Sequence, residues 1–125
     1  MIKESFQRYG EATTPKGKKV GLMLSHQFTP DDSGDGGGVP YAGGHVIAHV
    51  NGNAVGDLPF GIDHSGVYRI GDMEVKRYHR RQGVASTMLE FARQNGVPVQ
   101  HYEHEADYSP AGRAFRDADL FRDRR

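Results

Sequence analysis

The chain has 125 residues, of which 16 are Lys or Arg and 16 are Asp or Glu, so its formal net charge is zero. This balance gives no global attraction to nucleic acid, and the length predicts one domain, residues 1–125. The sequence contains no cysteine, which excludes disulfides, a thiolate nucleophile and a cysteine-ligated metal.

The first part of the chain predicts one strand. Residues 1–17 mix charged residues with glycine and proline, and indicate a short first segment followed by a loop. Residues 18–28 predict a strand, because Val20, Leu22 and Leu24 alternate onto one face.

Residues 29–43, which include TPDDSGDGGG, predict a flexible polar loop. Asp31, Ser33 and Asp35 partly match a calcium-binding register. However, Ala42 stands where the last acidic ligand is required, and no helices flank the loop. We therefore expect a mobile surface loop and no metal ion.

The middle of the chain predicts a β-hairpin and a further strand. Residues 44–60 alternate apolar and polar side chains on both sides of an Asn-Gly-Asn turn at residues 51–53, a sequence typical of hairpins. Residues 67–76 predict the next strand, which leads into a basic turn at residues 77–82.

An amphipathic helix is predicted after this turn. Its apolar residues recur at the spacing of one helical face, and Asn95-Gly96 followed by Pro98 predicts where it ends. The apolar face consists of Val84, Ala85, Met88, Leu89 and Ala92.

The N-terminus of this helix predicts an anion site. The first amides of a helix have no intrahelical partners, and Gly83 allows the backbone to approach a ligand closely. The helix dipole and the side chains of Arg77, Arg80 and Arg81 make the turn positive. A phosphate or pyrophosphate is the ligand that such a turn suits.

The last part of the chain predicts a strand at residues 97–105 and a helix at residues 107–120. The helix begins with Ser109-Pro110, a favourable pair for a helix start. Residues 122–125 predict a frayed tail. The predicted order is therefore strand, hairpin, strand, helix, strand, helix.

The six residues from Arg80 to Ala85, RRQGVA, resemble the R/Q-x-x-G-x-G/A acyl-CoA-binding motif of the GNAT superfamily of N-acetyltransferases. The resemblance covers roughly residues 44–116. It implies an α+β fold with a mixed, mainly antiparallel sheet flanked by helices, here trimmed at both ends. Arg77 stands where the family often has proline, and Arg81 where it often has glycine.

The resemblance implies that acetyl-CoA is the co-substrate and that an amine of unknown identity is the acceptor. In the family, the strand before the motif pairs with the pantetheine arm, and the turn after it binds the pyrophosphate. The residues carried over to acetyl-CoA are Met73, Glu74, Val75, Arg80, Arg81, Gln82, Gly83, Val84, Ala85, Ser86 and Ser109.

Catalytic residues follow less directly from the resemblance. Many family members protonate the leaving sulfur with a Tyr of the last helix, but the corresponding position here lies near Phe115, which has no proton to donate. Tyr108 is the nearest replacement, and it is equally consistent with an aromatic residue that closes a turn. Glu74, His101 and Glu103 are candidate bases for the amine.

No metal site is expected at the segment HYEHE, residues 101–105, because strand alternation directs its two histidines to opposite faces. The runner-up function is a CoA-binding protein of weak or no activity that acts by binding a partner. The weakest hypothesis is a nucleic-acid-binding module, which would use the arginines of the basic turn and of the tail.

A homodimer is possible, because residues 97–105 would form an exposed edge strand if the family's terminal hairpin is missing. The N-terminal MIKESFQRYG lacks the apolar run of a signal peptide, so we expect a cytoplasmic protein without membrane contact. The segment HEADYSPAGRAF also resembles small bacterial and phage acetyltransferase-like proteins, which implies a bacterial cytoplasm, or the host cytoplasm for a phage protein.

Overall fold

The computed structural model describes residues 1–30 and 40–101. Within these residues, one sheet of six strands carries a short 3-10 helix at Arg77–His79 and one α-helix. The strand order is β1-β2-β3-β4-β5, β6 also pairs with β4, and all these pairs are antiparallel. This confirms the predicted α+β class. The elements are β1 (Phe6–Thr13), β2 (Lys19–Thr29), β3 (Tyr41–Val50), β4 (Asn53–Ile62), β5 (Tyr68–Ile70), β6 (Glu74–Val75) and α1 (Val84–Gln94).

The short first segment predicted in residues 1–17 is the strand β1, which the sequence did not assign as a strand, and the turn into β2 follows it. β1 pairs with β2 along its whole length at the edge of the sheet. Its pattern is weak because an edge strand buries little, and Tyr9 is 73% exposed. Gly10 serves packing, since a Cβ there would lie 2.7 Å from the ring of Phe91 on α1.

The predicted hairpin is confirmed as β3 and β4. Asn51 and Gly52 have φ values of 51° and 80°, as a two-residue type I′ turn requires. The predicted loop is shorter at both ends than expected, because β2 continues to Thr29 and β3 begins at Tyr41. The calcium-like part of the loop lies outside the described residues.

The strand predicted at residues 67–76 is interrupted by a β-bulge. β5 pairs Ile70 with Phe60, and β6 pairs Val75 with Gly56. Between these two pairs the bulged chain has one residue more than β4. The extra residue changes which face each side chain occupies, so Val75 lies on the face toward α1 and Glu74 on the opposite face.

The structure describes residues 97–101 of the strand predicted at residues 97–105. Within residues 97–101 the chain makes one parallel bridge, between Gln100 and Arg69. Val97 and Val99 are fully buried, so the segment still seals the edge of the core. Residues 102–105 and the predicted last helix lie outside the described residues.

The core lies between one face of the sheet and α1. The helix begins and ends where the sequence predicts, and it closes with a Schellman motif in which the Val97 amide donates to Ala92 and the Gly96 amide to Arg93. On α1 the buried side chains are Val84, Met88, Leu89 and Ala92. No helix in the described residues is long and apolar enough to cross a membrane.

Candidate functional site

The end of β6 presents backbone groups at the outer edge of the sheet. The Lys76 amide donates to the Val55 carbonyl at 2.8 Å. Because hydrogen bonding alternates along an antiparallel ladder, the amide and carbonyl of the preceding Val75 face away from β4. The Val75 carbonyl accepts a hydrogen bond from Arg80 Nε at 2.9 Å.

The turn between β6 and α1 leaves the helix N-terminus without a side-chain cap. Gly83 is the N-cap residue, with φ 85°, and the first turn of α1 contains no acidic residue. The first helical hydrogen bond runs from the Thr87 amide to the Gly83 carbonyl at 3.0 Å. The amides of Val84 and Ala85 therefore precede the helical ladder, and the positive end of the helix dipole lies at this turn.

The backbone of the turn explains one departure from the family motif. Arg81 has φ 60°, a left-handed conformation that glycine adopts without strain. Glycine is common at this position in the motif, and arginine here keeps the same turn at a small conformational cost. The side chains of Arg80 and Arg81 are both exposed, so their charges face solvent beside the helix N-terminus.

The side of Gly83 where a side chain would project is filled by protein. A Cβ on Gly83 would lie 2.7 Å from Cδ of Pro15, which belongs to the turn between β1 and β2. The glycine thus serves close packing of two turns as well as the positive φ. Any ligand must approach from the amide side of the turn.

Comparison with known families identifies the family of the chain. The model of the acetyltransferase (GNAT) family matches residues 6–110. The chain belongs to the GNAT acetyltransferase family. No curated protein and no solved structure matches it. The match begins at β1, well before the region of residues 44–116 in which the sequence resemblance was recognised.

Membership defines the general chemistry, since GNAT proteins are acetyltransferases that generally use acetyl-CoA. The predicted acetyl-CoA residues occupy different environments in this GNAT chain. Met73 and Val75 pack against the core, and the Val84 side chain is buried, so Val84 can offer a ligand only its backbone. Gln82 donates from Nε2 to the Tyr78 carbonyl at 3.0 Å, which braces the turn.

Of the predicted catalytic residues, the structure describes Glu74 and His101. Glu74 is exposed on the sheet face opposite α1. The His101 carbonyl accepts a hydrogen bond from Arg69 at 2.6 Å, at the end of the described chain. Glu103, Tyr108 and Ser109 lie outside the described residues.

Two residues beside Glu74 were missed by the sequence analysis. Asp57 lies directly opposite Glu74 across the β4–β6 pair, and its Oδ1 is 3.6 Å from His45 Nδ1. That oxygen is buried without a hydrogen-bond partner, although the Asp57 side chain as a whole is 48% exposed. The sequence signal was the alternation in β3 and β4, which places polar residues on this face.

A cleft of about 410 Å³ lies between β1 and the outer side of α1. Its lining includes Pro15 and Ser86, which lie near the start of α1, but Glu11 and Glu90 also line it. Two carboxylates make it unsuited to a phosphate. Within residues 1–30 and 40–101, no group of three or more His, Asp or Glu side chains could bind a metal ion.

A buried polar network lies at the other end of the core. His26 Nδ1 is 2.9 Å from the Glu4 carbonyl, and His26 Nε2 is 2.8 Å from the Tyr68 hydroxyl. A carbonyl can only accept, so Nδ1 carries a proton, and in the tautomer with that single ring proton Nε2 accepts from the Tyr68 hydroxyl. Burial raises the pKa of Tyr68, which keeps this hydroxyl protonated.

Proposed function

We propose that the protein is an acetyl-CoA-dependent N-acetyltransferase that transfers the acetyl group to an amine. The observation that supports this most directly is the uncapped N-terminus of α1 beside the outward-facing edge of β6. An anion and an extended amide chain can be bound side by side there, which is the combination that the pyrophosphate and the pantetheine arm of acetyl-CoA require.

In this proposal the turn binds the pyrophosphate through backbone amides. Residues 81–86 provide the donors, and Arg80 and Arg81 add positive charge. The Val75 amide pairs with the pantetheine arm, with Met73 and Glu74 on either side of it along the strand. Ser109, which lies outside the described residues, is a further candidate contact.

Amine acetylation requires the acceptor to lose protons. The amine nitrogen forms a bond to the thioester carbon, the carbon–sulfur bond breaks, and the sulfur leaves with the electron pair and takes up a proton. We assign the removal of the ammonium proton to Glu74, because its carboxylate lies on an open face beside Asp57 and His45. Tyr108 is the proposed donor to the sulfur, and His101 and Glu103 are the alternative bases.

The test separates binding from chemistry. Thiol release from acetyl-CoA is measured with a panel of primary amines and diamines, beside a calorimetric titration of acetyl-CoA. We expect amine-dependent thiol release, and a loss of about 100- to 10,000-fold in kcat/KM for Glu74→Gln with unchanged acetyl-CoA affinity. The control is Glu90→Gln, which removes the same charge from the exposed side of α1.

Two results would reject parts of this proposal. Tight acetyl-CoA binding without thiol release by any amine would assign the chain to the runner-up class, a CoA-binding protein that acts through a partner. Equal rates for the wild type and Glu74→Gln would remove Glu74 from the reaction and direct the same assay to His101 and Glu103.

A further inference from the structure

The turn between β1 and β2 fixes a lysine beside the basic turn of α1. Thr14 is buried, its amide donates to the Lys18 carbonyl at 2.8 Å, and its Oγ1 accepts from the Lys18 amide at 3.0 Å. Pro15 of the same turn packs on Gly83. The backbone of Lys18 is therefore rigidly positioned relative to the N-terminus of α1.

The side chain of Lys18 reaches the residue that precedes Arg80. Its Nζ lies 2.7 Å from Nδ1 of His79. An ammonium group can only donate, so Nδ1 accepts and the ring proton lies on Nε2. The pair then presents only donors to its surroundings, namely the remaining N–H groups of Lys18 and the Nε2–H of His79.

This positive charge has no acidic partner among the described residues. In residues 1–30 and 40–101 the close contacts between a basic and an acidic side chain are His45 with Asp57 and Arg69 with Asp63, and neither involves Lys18. A lysine side chain can bury its stem and still keep its ammonium group near solvent, so the charge of the half-buried Lys18 stays available to a ligand. Its contact is the ring of another basic residue, so the pair adds positive charge near the N-terminus of α1, and an anion is the ligand that this charge favours.

We infer that Lys18, held in place by His79, is a phosphate-binding residue that the β1–β2 turn contributes to the site. The inference rests on the proposed function, and its ligand is a phosphate group of acetyl-CoA. Lys18 contacts the phosphate, and His79 is a positioning residue. The phosphate is either part of the pyrophosphate or the 3′-phosphate of the ribose, and the two can be separated by experiment.

The experiment is calorimetric titration of the full chain with acetyl-CoA and with acetyl-dephospho-CoA. We expect Lys18→Gln to weaken acetyl-CoA binding by about tenfold, the usual worth of a hydrogen bond to a charged group. Lys18→Arg should retain most of the affinity. The matched control is Lys19→Gln, which removes the same charge from an exposed neighbour that strand alternation turns to the other face.

The two ligands identify which phosphate is bound. If Lys18→Gln lowers the affinity for acetyl-CoA but not for acetyl-dephospho-CoA, Lys18 binds the 3′-phosphate. If both affinities fall equally, it binds the pyrophosphate. His79→Asn should preserve the acetyl-CoA affinity, because it keeps an acceptor for the Lys18 ammonium group, whereas His79→Leu should lower that affinity. The melting temperatures of both variants show whether they are folded.

Two results would overturn the inference and can be told apart. If the wild type binds acetyl-CoA and Lys18→Gln binds it equally well, or if Lys19→Gln loses as much affinity, the inference alone fails. If the folded wild type does not bind acetyl-CoA, the proposed function fails together with it.

Discussion

Pro15 occupies the space that a side chain on Gly83 would need, with its Cδ 2.7 Å from an ideal Cβ position. Two turns that are far apart in sequence are therefore in direct contact at the start of α1. The contact explains why residue 83 must be glycine even before a ligand is considered.

A first prediction separates the two demands on this glycine. Gly17 and Gly83 have φ values of 84° and 85°, but nothing lies within 4 Å of a Cβ on Gly17. Gly17→Ala should cost about 1 kcal/mol of unfolding free energy for the positive φ, whereas Gly83→Ala should cost about 1–3 kcal/mol more for overpacking. Urea denaturation measures both.

A double variant provides the control for this comparison. Adding Pro15→Ala to Gly83→Ala should recover most of the extra cost, because it removes the atom that a new Cβ meets. Equal losses of unfolding free energy for Gly17→Ala and Gly83→Ala would show that Pro15 does not restrict the space at residue 83.

A second prediction concerns the buried network at Tyr68. Tyr68→Phe leaves His26 Nε2 and the Ile2 amide without their partner, because that amide also donates to the Tyr68 hydroxyl at 3.2 Å. We expect a loss of about 1–3 kcal/mol in unfolding free energy. Tyr9→Phe, at a position that is 73% exposed, should change it by less than about 0.5 kcal/mol. A loss for Tyr68→Phe as small as the Tyr9 control would contradict the network.

A third prediction concerns acid stability. The Val67 amide, the Arg69 side chain and the Ser65 amide lower the pKa of Asp63 below its ordinary value. A carboxylate with a lowered pKa stabilises the fold above its unfolded-state pKa, and this contribution is lost as the pH falls through the lowered value.

Thermal melts between pH 7 and pH 2 test this prediction. Asp63→Asn should be less stable than the wild type at pH 7, and the difference should shrink below about pH 4 as the wild-type carboxylate is protonated. Asp72→Asn, at an exposed bend, is the control for a general effect of charge. A difference that stays constant across this range would show that Asp63 contributes through something other than its charge.

A fourth prediction uses the backbone of the basic turn. Because Arg81 has φ 60°, Arg81→Gly removes a charge while keeping the turn. Unfolding free energy should change by less than about 1 kcal/mol, since relief of strain opposes the greater freedom of the unfolded chain. The affinity for acetyl-CoA should fall about two- to fivefold, as expected for the loss of an exposed charge near a helix end. A higher salt concentration should reduce the difference in affinity between the wild type and Arg81→Gly. A large loss of stability would mean that the arginine side chain supports the turn.

Sequence reasoning found the parts of the fold that strong local patterns specify. The apolar face of α1 and the Asn-Gly signals at residues 51–52 and 95–96 were sufficient for the helix and the hairpin. β1 was not assigned as a strand because an edge strand buries few side chains, and because the packing of Gly10 on Phe91 is a contact that no local pattern contains. The bulge left a signal that was not used, since the apolar residues move from even positions, Tyr68 and Ile70, to odd positions, Met73 and Val75.

Of the candidate site, only the turn that follows a local motif was predictable from the sequence. The RRQGVA motif located the turn, because backbone geometry at a helix start follows from sequence. Lys18 and His79 are 61 positions apart, and Asp57 meets His45 across a strand pair, so only the fold brings them together. Long-range contacts of this kind determine the charge of a site, and a single sequence does not record them.

The central claim, that acetyl-CoA binds along β6 and the start of α1, is tested most directly by backbone amide NMR during a titration with acetyl-CoA. We predict that the largest shifts occur at Val75 and at residues 81–86, with small shifts around Tyr68 and His26 in the distant core. The account would be contradicted if the amide resonances of Val75 and residues 81–86 did not shift at saturating acetyl-CoA, whether or not other resonances shifted.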